Sequence, residues 1–292
     1  MRRYADRVFG LLVRLMCFLS LLLLGFMIFF IVYESIPAIR EVGLRGLLLS
    51  RTWRPIIYKD YPEYGMLNMI ISTLYVSALA VAIALVIGVG CALFLACRAT
   101  DRQRRAIMPY IDLLASIPSV VYGFIGLYVV VGFIEKCGRA AGESVLAGGI
   151  VLSVMILPYM ISSCCETMVH IRDRVAPSST ALGLPRWYMA SQLVLPCSAR
   201  GIMISMALAC GRAMGETMAV MMVLGNAIGA PSLLGKGETI SSLIALEMGM
   251  AEVGSTHFSA LYTAGLVLLV LLLAINLIFE LIRRRLSKGG LI

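Results

Sequence analysis

The sequence predicts an all-α, polytopic membrane protein with six transmembrane helices, and three observations carry that expectation. Hydrophobic residues make up 60% of the 292 positions and charged residues 14%, with a mean hydropathy of +0.94, a composition suited to lipid rather than water. Six apolar runs reach the roughly 20 residues that a helix needs to cross a bilayer. Lysines and arginines bracket those runs instead of falling within them, and Arg212 is the exception.

The first run, 14–34, follows Arg2, Arg3, Arg7 and Arg14. It is longer than a signal-peptide core and no small-x-small cleavage site follows, so segment 1–34 is expected to be a cytoplasmic tail with an uncleaved first helix. Residues 35–67 are expected to form an outer loop whose Trp53, Tyr58, Tyr61 and Tyr64 suit the membrane interface. A core from 68 to 282 carries the other spans, at 68–97, 106–134, 145–167, 200–225 and 258–282, before a basic tail at 283–292. With the N-terminus inside, cytoplasmic segments hold sixteen Lys and Arg residues against eight outside. The positive-inside rule therefore places both termini in the cytoplasm. The same rule accounts for the net charge of +9 without nucleic acid.

Two prolines interrupt these spans. Ile117-Pro118-Ser119 breaks the third and Leu157-Pro158 the fourth, freeing backbone carbonyls that protein or a water-filled path must satisfy. A packing kink and a place on a pathway both fit the first break, where the hydroxyls of Ser116 and Ser119 flank the proline. A second long outer loop runs over 226–257, with 239–250 expected as a short helix lying at the surface.

The eight cysteines sit mostly within or beside apolar runs, with no CxxC spacing and no histidine at ligand spacing, so no metal site is expected. His170 and His257 read as edge or loop residues. A stretch at Gly229–Gly237 approximates a Walker A loop, but its spacing is off by one and Gly237 replaces the residue that would hold magnesium. No cofactor is expected in this chain, and any nucleotide hydrolysis would have to come from a separate partner.

The one long inner loop, 168–199, is where such a partner would dock. Ser178 and Ser179 are expected to cap a short helix, Gly183 to permit a turn, and Pro185 to start a second helix. Ala181, Arg186, Leu193 and Pro196 complete a set with apolar surface and charge.

Arg212 and Glu216 stand in the fifth apolar run. A charge at membrane depth is costly and marks a pathway, a relay or a buried pair. Arg212 lies twelve residues past Arg200, about 18 Å along a helix. Glu216 at i+4 would share its face. Gly211 and Gly215 form a GxxxG step that permits close approach of a neighbour. Two readings stand side by side. In one, the guanidinium fork meets an anion, for which phosphate has suitable geometry, and Glu216 offsets the charge when the path is empty. In the other, the two side chains form a buried lock between helices.

Three stretches also carry a family resemblance. Arg212-Ala213-Met214-Gly215-Glu216-Thr217-Met218-Ala219-Val220 with Gly225-Asn226, and Ala115 through Gly123, resemble signatures of PstC-type permeases of bacterial phosphate importers. The inner loop resembles the EAA loop of ABC-transporter permeases in the spacing of Gly183, Leu193, Leu195 and Pro196, although Pro177, Ser178 and Ser179 replace its Glu-Ala-Ala. The resemblance implies a type I ABC importer permease fold, with a five-helix core plus an N-terminal helix, in the bacterial inner membrane. It also implies a PstA-like sister permease, a PstB-like ATPase dimer, a PstS-like binding protein, and inorganic phosphate as cargo. In that picture Arg212, Glu216, Thr217, Ser116 and Ser119 line or gate the path, and the chain is a transporter subunit rather than an enzyme. Rival readings are a sulfate or molybdate permease, a stand-alone secondary transporter, and a membrane enzyme. The second lacks an internal inverted repeat and the third any catalytic constellation.

Overall fold

The computed structural model describes residues 2–55, 62–138 and 141–288, with side chains of the first and last helices described between residues 9 and 285. Helix α1 (Arg2–Leu49) bends at Gly43, where φ is +78°. It is followed by a two-stranded hairpin, β1 (Trp53–Arg54) and β2 (Glu63–Tyr64), in which Trp53 faces Tyr64. Then come α2 (Leu67–Cys97), α3 (Asp101–Ala115) and α4 (Ser119–Lys136), which contains a π-helical turn at Gly126–Val131. Helix α5 (Val145–Ala181) leads into α6 (Arg186–Cys197), which meets α7 (Ala199–Met214) at a bend of 59°. The chain closes with α8 (Met218–Val223), α9 (Ile240–Glu247) and α10 (Thr256–Lys288). Five described helices are long and apolar enough to cross a membrane, and the bent α6–α7 pair makes a sixth.

The bundle is organised around α2 and α5, which run side by side in the same direction. Val76, Ala80, Ala84, Gly88, Ala92 and Ala96 recur every fourth residue along α2. That seam of small side chains lets α5 approach closely, as membrane helices require when apolar burial cannot drive their association. A methyl group on Gly88 would come within 3.0 Å of Met160 Cβ, and one on Gly149 within 2.5 Å of Leu79. Leu152, Met155, Ile156 and Met160 of α5 fill the seam together with Ala209, Ala213 and Met214 of α7. The seam extends past Pro158, which sits buried inside an unbroken α5. The expected break there does not occur, because packing against α2 on both sides of the proline holds the helix through it.

Three other boundaries differ from expectation. Residues 35–49 are helical, since Ala38 and Leu47 find apolar partners in Leu261 and Ala264 of α10. Only the later part of the supposed outer loop is irregular, and its Tyr58 and Tyr61 lie outside the described residues. The predicted inner loop is helical in its first half, because Val169, Val175 and Ala176 pack on the cluster that holds Met189 and Val194. Helix α9 lies only partly at the surface, with Ala245, Leu246 and the following Met250 exposed. Its first turn is buried from Ile240 to Leu243 behind a Thr239–Ser242 capping box.

Gly142 is the tightest backbone contact described, since a methyl group there would lie 2.1 Å from the Val131 carbonyl oxygen. Gly142→Ala is therefore expected to destabilise the fold by about 1–3 kcal/mol, read as a lower thermal midpoint of the detergent-solubilised protein.

Candidate functional site

Two helix breaks come together in the bundle, one between α3 and α4 and one between α7 and α8, and the candidate site lies where they meet. The first separates α3 from α4. Thr100 and Gln103 start α3 with a capping box, and Pro118 ends its register because it has no N–H and disfavours helix at the preceding residue. Ser116 Oγ donates to Leu113 O at 2.7 Å. Two tyrosines satisfy the next carbonyls: Tyr122 Oη donates to Leu114 O at 2.7 Å, and Tyr159 Oη of α5 donates to Ala115 O at 3.1 Å. The helix break expected at Ile117–Ser119 is present, but the predicted span 106–134 shifts to Ser119–Lys136, because α4 alone is long and apolar enough to cross a membrane, whereas α3 carries too many polar residues.

The second break separates α7 from α8 at Gly215-Glu216-Thr217. Glu216 lies beyond the end of α7, so the expected i+4 geometry with Arg212 does not form, and no ion pair joins them among the described residues. Glu216 Oε1 instead accepts from Ala219 N at 3.1 Å and caps α8, while Glu216 O accepts from Ser241 Oγ at 2.8 Å. Thr217 Oγ1 donates to Gly215 O at 3.3 Å. The lock reading of Arg212 and Glu216 is thereby excluded within this chain. Gly211 and Gly215 make no packing step with another helix among the described residues, since none lies within 4 Å of a Cβ at either position.

Arg212 uses its charge differently. Its guanidinium carbon sits 4.4 Å from the centre of the Tyr159 ring, a cation–π contact of about 0.5–2 kcal/mol. The side chain is exposed, and it commits no hydrogen-bond donor to the described residues. Past the breaks, α4 and α8 come together at backbone distance. A methyl group on Gly123 would lie 2.9 Å from both Ala219 Cα and Met222 Sδ. Ser116 and Ser119 flank the α3–α4 break, next to the Ala115 carbonyl that Tyr159 satisfies.

A polar stripe leads away from this point along α5. Tyr159, Ser162, Glu166 and His170 recur at helical spacing on one face, and α3 runs antiparallel beside them. Ser162 Oγ donates to Asp112 Oδ1 at 2.8 Å, and a groove of about 350 Å³ is lined by Arg104, Asp112, Ser162, Glu166 and His170. His170 therefore belongs to a helix face and not to a loop. Exposed side chains on α1 between Phe9 and Tyr33 are by contrast almost wholly apolar. A polar face at membrane depth points to an aqueous path or a protein neighbour. Sequence reasoning missed Tyr122, Tyr159, Asp112 and Glu166. The polar recurrence at 159, 162, 166 and 170 was the available signal.

At the end of the bundle where α5 turns into α6, Gly183 adopts φ +67°. Gly183 N donates to Thr180 O at 3.0 Å and Leu184 N to Ser179 O at 2.9 Å, a Schellman closure. Ser178 and Ser179 thus lie in the last turn of α5 and cap no helix start, because α5 runs on past its expected end. Pro185 precedes the first residue of α6, as expected. Leu182 and Trp187 are 75% and 73% exposed, with Ala181 and Arg186 also exposed beside them. Leu193 packs into the apolar cluster beneath, and Pro196 lies just before the α6–α7 bend. Arg172 ties this end to α2 and α3 through Ala96 O at 2.7 Å and Asp101 at 3.8 Å.

At the opposite end, Trp53 Nε1 donates to Glu247 Oε2 at 2.9 Å, and His257 Nε2 lies 3.5 Å from the same oxygen. His257 stacks on Tyr64 and is part of this buried knot, not a loop residue. Glu238 beneath it is 5% exposed. Burial, helped by Glu247, pushes its carboxyl up to about 7 from 4.5. The folded chain therefore holds this proton more tightly than the unfolded chain does, and stability falls as pH rises from about 4.5 through 7. Glu238→Gln is expected to flatten the upper part of that slope in thermal unfolding measured against pH.

An all-helical bundle with five to six membrane-length apolar helices, helix breaks beside an exposed arginine, and an exposed apolar connecting turn has the architecture of a transport permease subunit. The chain belongs to the family of binding-protein-dependent transport system inner membrane components, whose model matches residues 88–288. It is 34% identical to a Bacillus subtilis protein described as "Probable ABC transporter permease protein YqgH", over 98% of this chain and 92% of that one. It is 33% identical to the phosphate transport system permease protein PstC of Mesorhizobium japonicum, over 92% of this chain and 88% of the relative. A chain of the inward-facing MetNI methionine ABC transporter superposes with a TM-score of 0.60 at 16% identity, covering 76% of this chain and 95% of that one. The fold is that of an ABC importer permease.

Proposed function

We propose that this chain is the permease subunit of an ATP-driven importer of inorganic phosphate and forms half of its translocation path. The observation that carries the proposal is Arg212, held on an aromatic ring at the meeting of two helix breaks with its donors uncommitted. A planar fork of N–H donors suits a tetrahedral oxyanion better than a point charge does. Relatives named as phosphate permeases over most of their length support phosphate as that anion.

The rest of the assembly follows from the two ends of the bundle. Leu182, Trp187 and Arg186 at the α5–α6 turn face the cytoplasm with both termini and receive a separate ATPase dimer, which binds ATP and magnesium. The chain itself needs no cofactor and hydrolyses nothing. The Trp53–Glu247 end faces outward and receives the binding protein, and a sister permease supplies the other half of the path. Vesicles reconstituted with all subunits and loaded with ATP are expected to take up labelled phosphate in preference to sulfate. Sulfate uptake without phosphate uptake would overturn the substrate, and uptake without ATPase subunits would overturn the coupling.

A further inference from the structure

The geometry points to Tyr159 as the positioning residue that sets where Arg212 stands in the path, an inference that rests on the pathway reading of Arg212. The ring of Tyr159 carries the guanidinium at 4.4 Å. Its hydroxyl donates to the last carbonyl of α3, Ala115 O, at 3.1 Å. One side chain thus touches the charge, the α3–α4 break and α5 together.

Three features make Tyr159 a holder of the charge and not filler. No described carboxylate lies within ion-pair distance of Arg212, so the ring is its principal local contact. A long exposed side chain samples many rotamers unless a surface orders it, and an aromatic face orders a guanidinium without using its N–H donors. A carboxylate partner would have bound those donors, whereas the ring leaves them for an anion. The ring is itself held in place. Helix α3 is fastened to α5 at three levels, by Asp101 to Arg172 at 3.8 Å, Asp112 to Ser162 at 2.8 Å, and Ala115 to Tyr159 at 3.1 Å. The α3–α5 pair therefore runs from the α5–α6 turn to the ring under Arg212. A displacement of that turn reaches the arginine through Tyr159.

The test compares Tyr159→Leu, Tyr159→Phe and Arg212→Ala in the complete importer, measuring ATP-driven phosphate uptake, yield of assembled complex, and dependence on phosphate-loaded binding protein. Tyr159→Leu, which removes the ring, is expected to lower the maximal uptake rate about tenfold. The half-saturating concentration of binding protein and the yield of assembled complex should stay as in the wild type. Tyr159→Phe keeps the ring but loses the tie to Ala115, and is expected to retain most of the rate, within about threefold. A wild-type rate for Tyr159→Leu, with Arg212→Ala inactive, would overturn the positioning role and leave the pathway reading intact. Loss of assembled complex in proportion to loss of uptake, or equal losses in the Leu and Phe variants, would also overturn it by making the residue structural. A wild-type rate for Arg212→Ala would remove the reading on which the inference rests.

Discussion

Arg212→Ala is expected to lower ATP-driven phosphate uptake by at least about a hundredfold, the scale on which removal of one preorganised charge-stabilising donor acts. Arg212→Lys should recover part of this, to within about tenfold of wild type, since it restores charge but not the bidentate fork and stacks less well on an aromatic face. Both values are to be read as initial rates in vesicles, normalised to assembled complex. The ordering matters more than the magnitudes. A path needing only positive potential would treat Lys and Arg alike. A purely structural arginine would show its loss in assembly. Among the described residues no carboxylate pairs with Arg212, whose guanidinium rests on the face of Tyr159, so Arg212→Ala leaves no buried carboxylate orphaned, and a transport defect can be assigned to the missing donors.

The second large effect is expected at the other end of the coupling route. Leu182 and Trp187 project from either side of the Gly183 turn, each about three-quarters exposed. An exposed Leu–Trp pair beyond the lipid is costly in isolation and suits a pocket on a partner, where a tryptophan anchor is worth about 2 kcal/mol or more. Changing both to Asp should therefore weaken association with the ATPase by about thirtyfold or more and abolish uptake. The permease itself should remain folded, because neither side chain is part of the packed clusters. Co-purification of the ATPase with the variant, set beside the thermal midpoint of the isolated permease, checks this. Retained ATPase binding would place the docking surface elsewhere.

Much of this architecture could be read from the chain before any coordinates, and the failures share a physical cause. Spans are legible because lipid admits only helices with satisfied backbones, so an apolar run of sufficient length has few alternatives. The Gly183 turn is legible because the residues after it cannot continue a helix. Helix ends that depend on tertiary contacts are not legible in this way. Residues 35–49 carry enough polar side chains to read as a loop, and they are helical because Ala38 and Leu47 meet α10 more than two hundred positions away. The same limit governed the charged pair. An i+4 argument assumes an unbroken helix, and Gly215 ends α7 one residue before Glu216. Tyr159 escaped notice because its meaning comes from Arg212 and Ala115, neither of which is near it in sequence.

The pairing of α1 with α10 has a consequence for how the protein is made. Thr256 Oγ1 donates to Glu41 Oε2 at 2.6 Å across 215 residues, and Phe30 meets Tyr262 edge-on. At roughly 5–20 residues per second of synthesis, about 10–40 s separate the emergence of these partners. During that interval α1 has only the hairpin and the start of α2 as packing partners, through Leu47, Trp53, Tyr64 and Met66. Its exposed surface between Phe9 and Tyr33, apolar apart from Arg14 and Ser20, suits it to that wait. Closure of this pair is thus timed by the synthesis of α10.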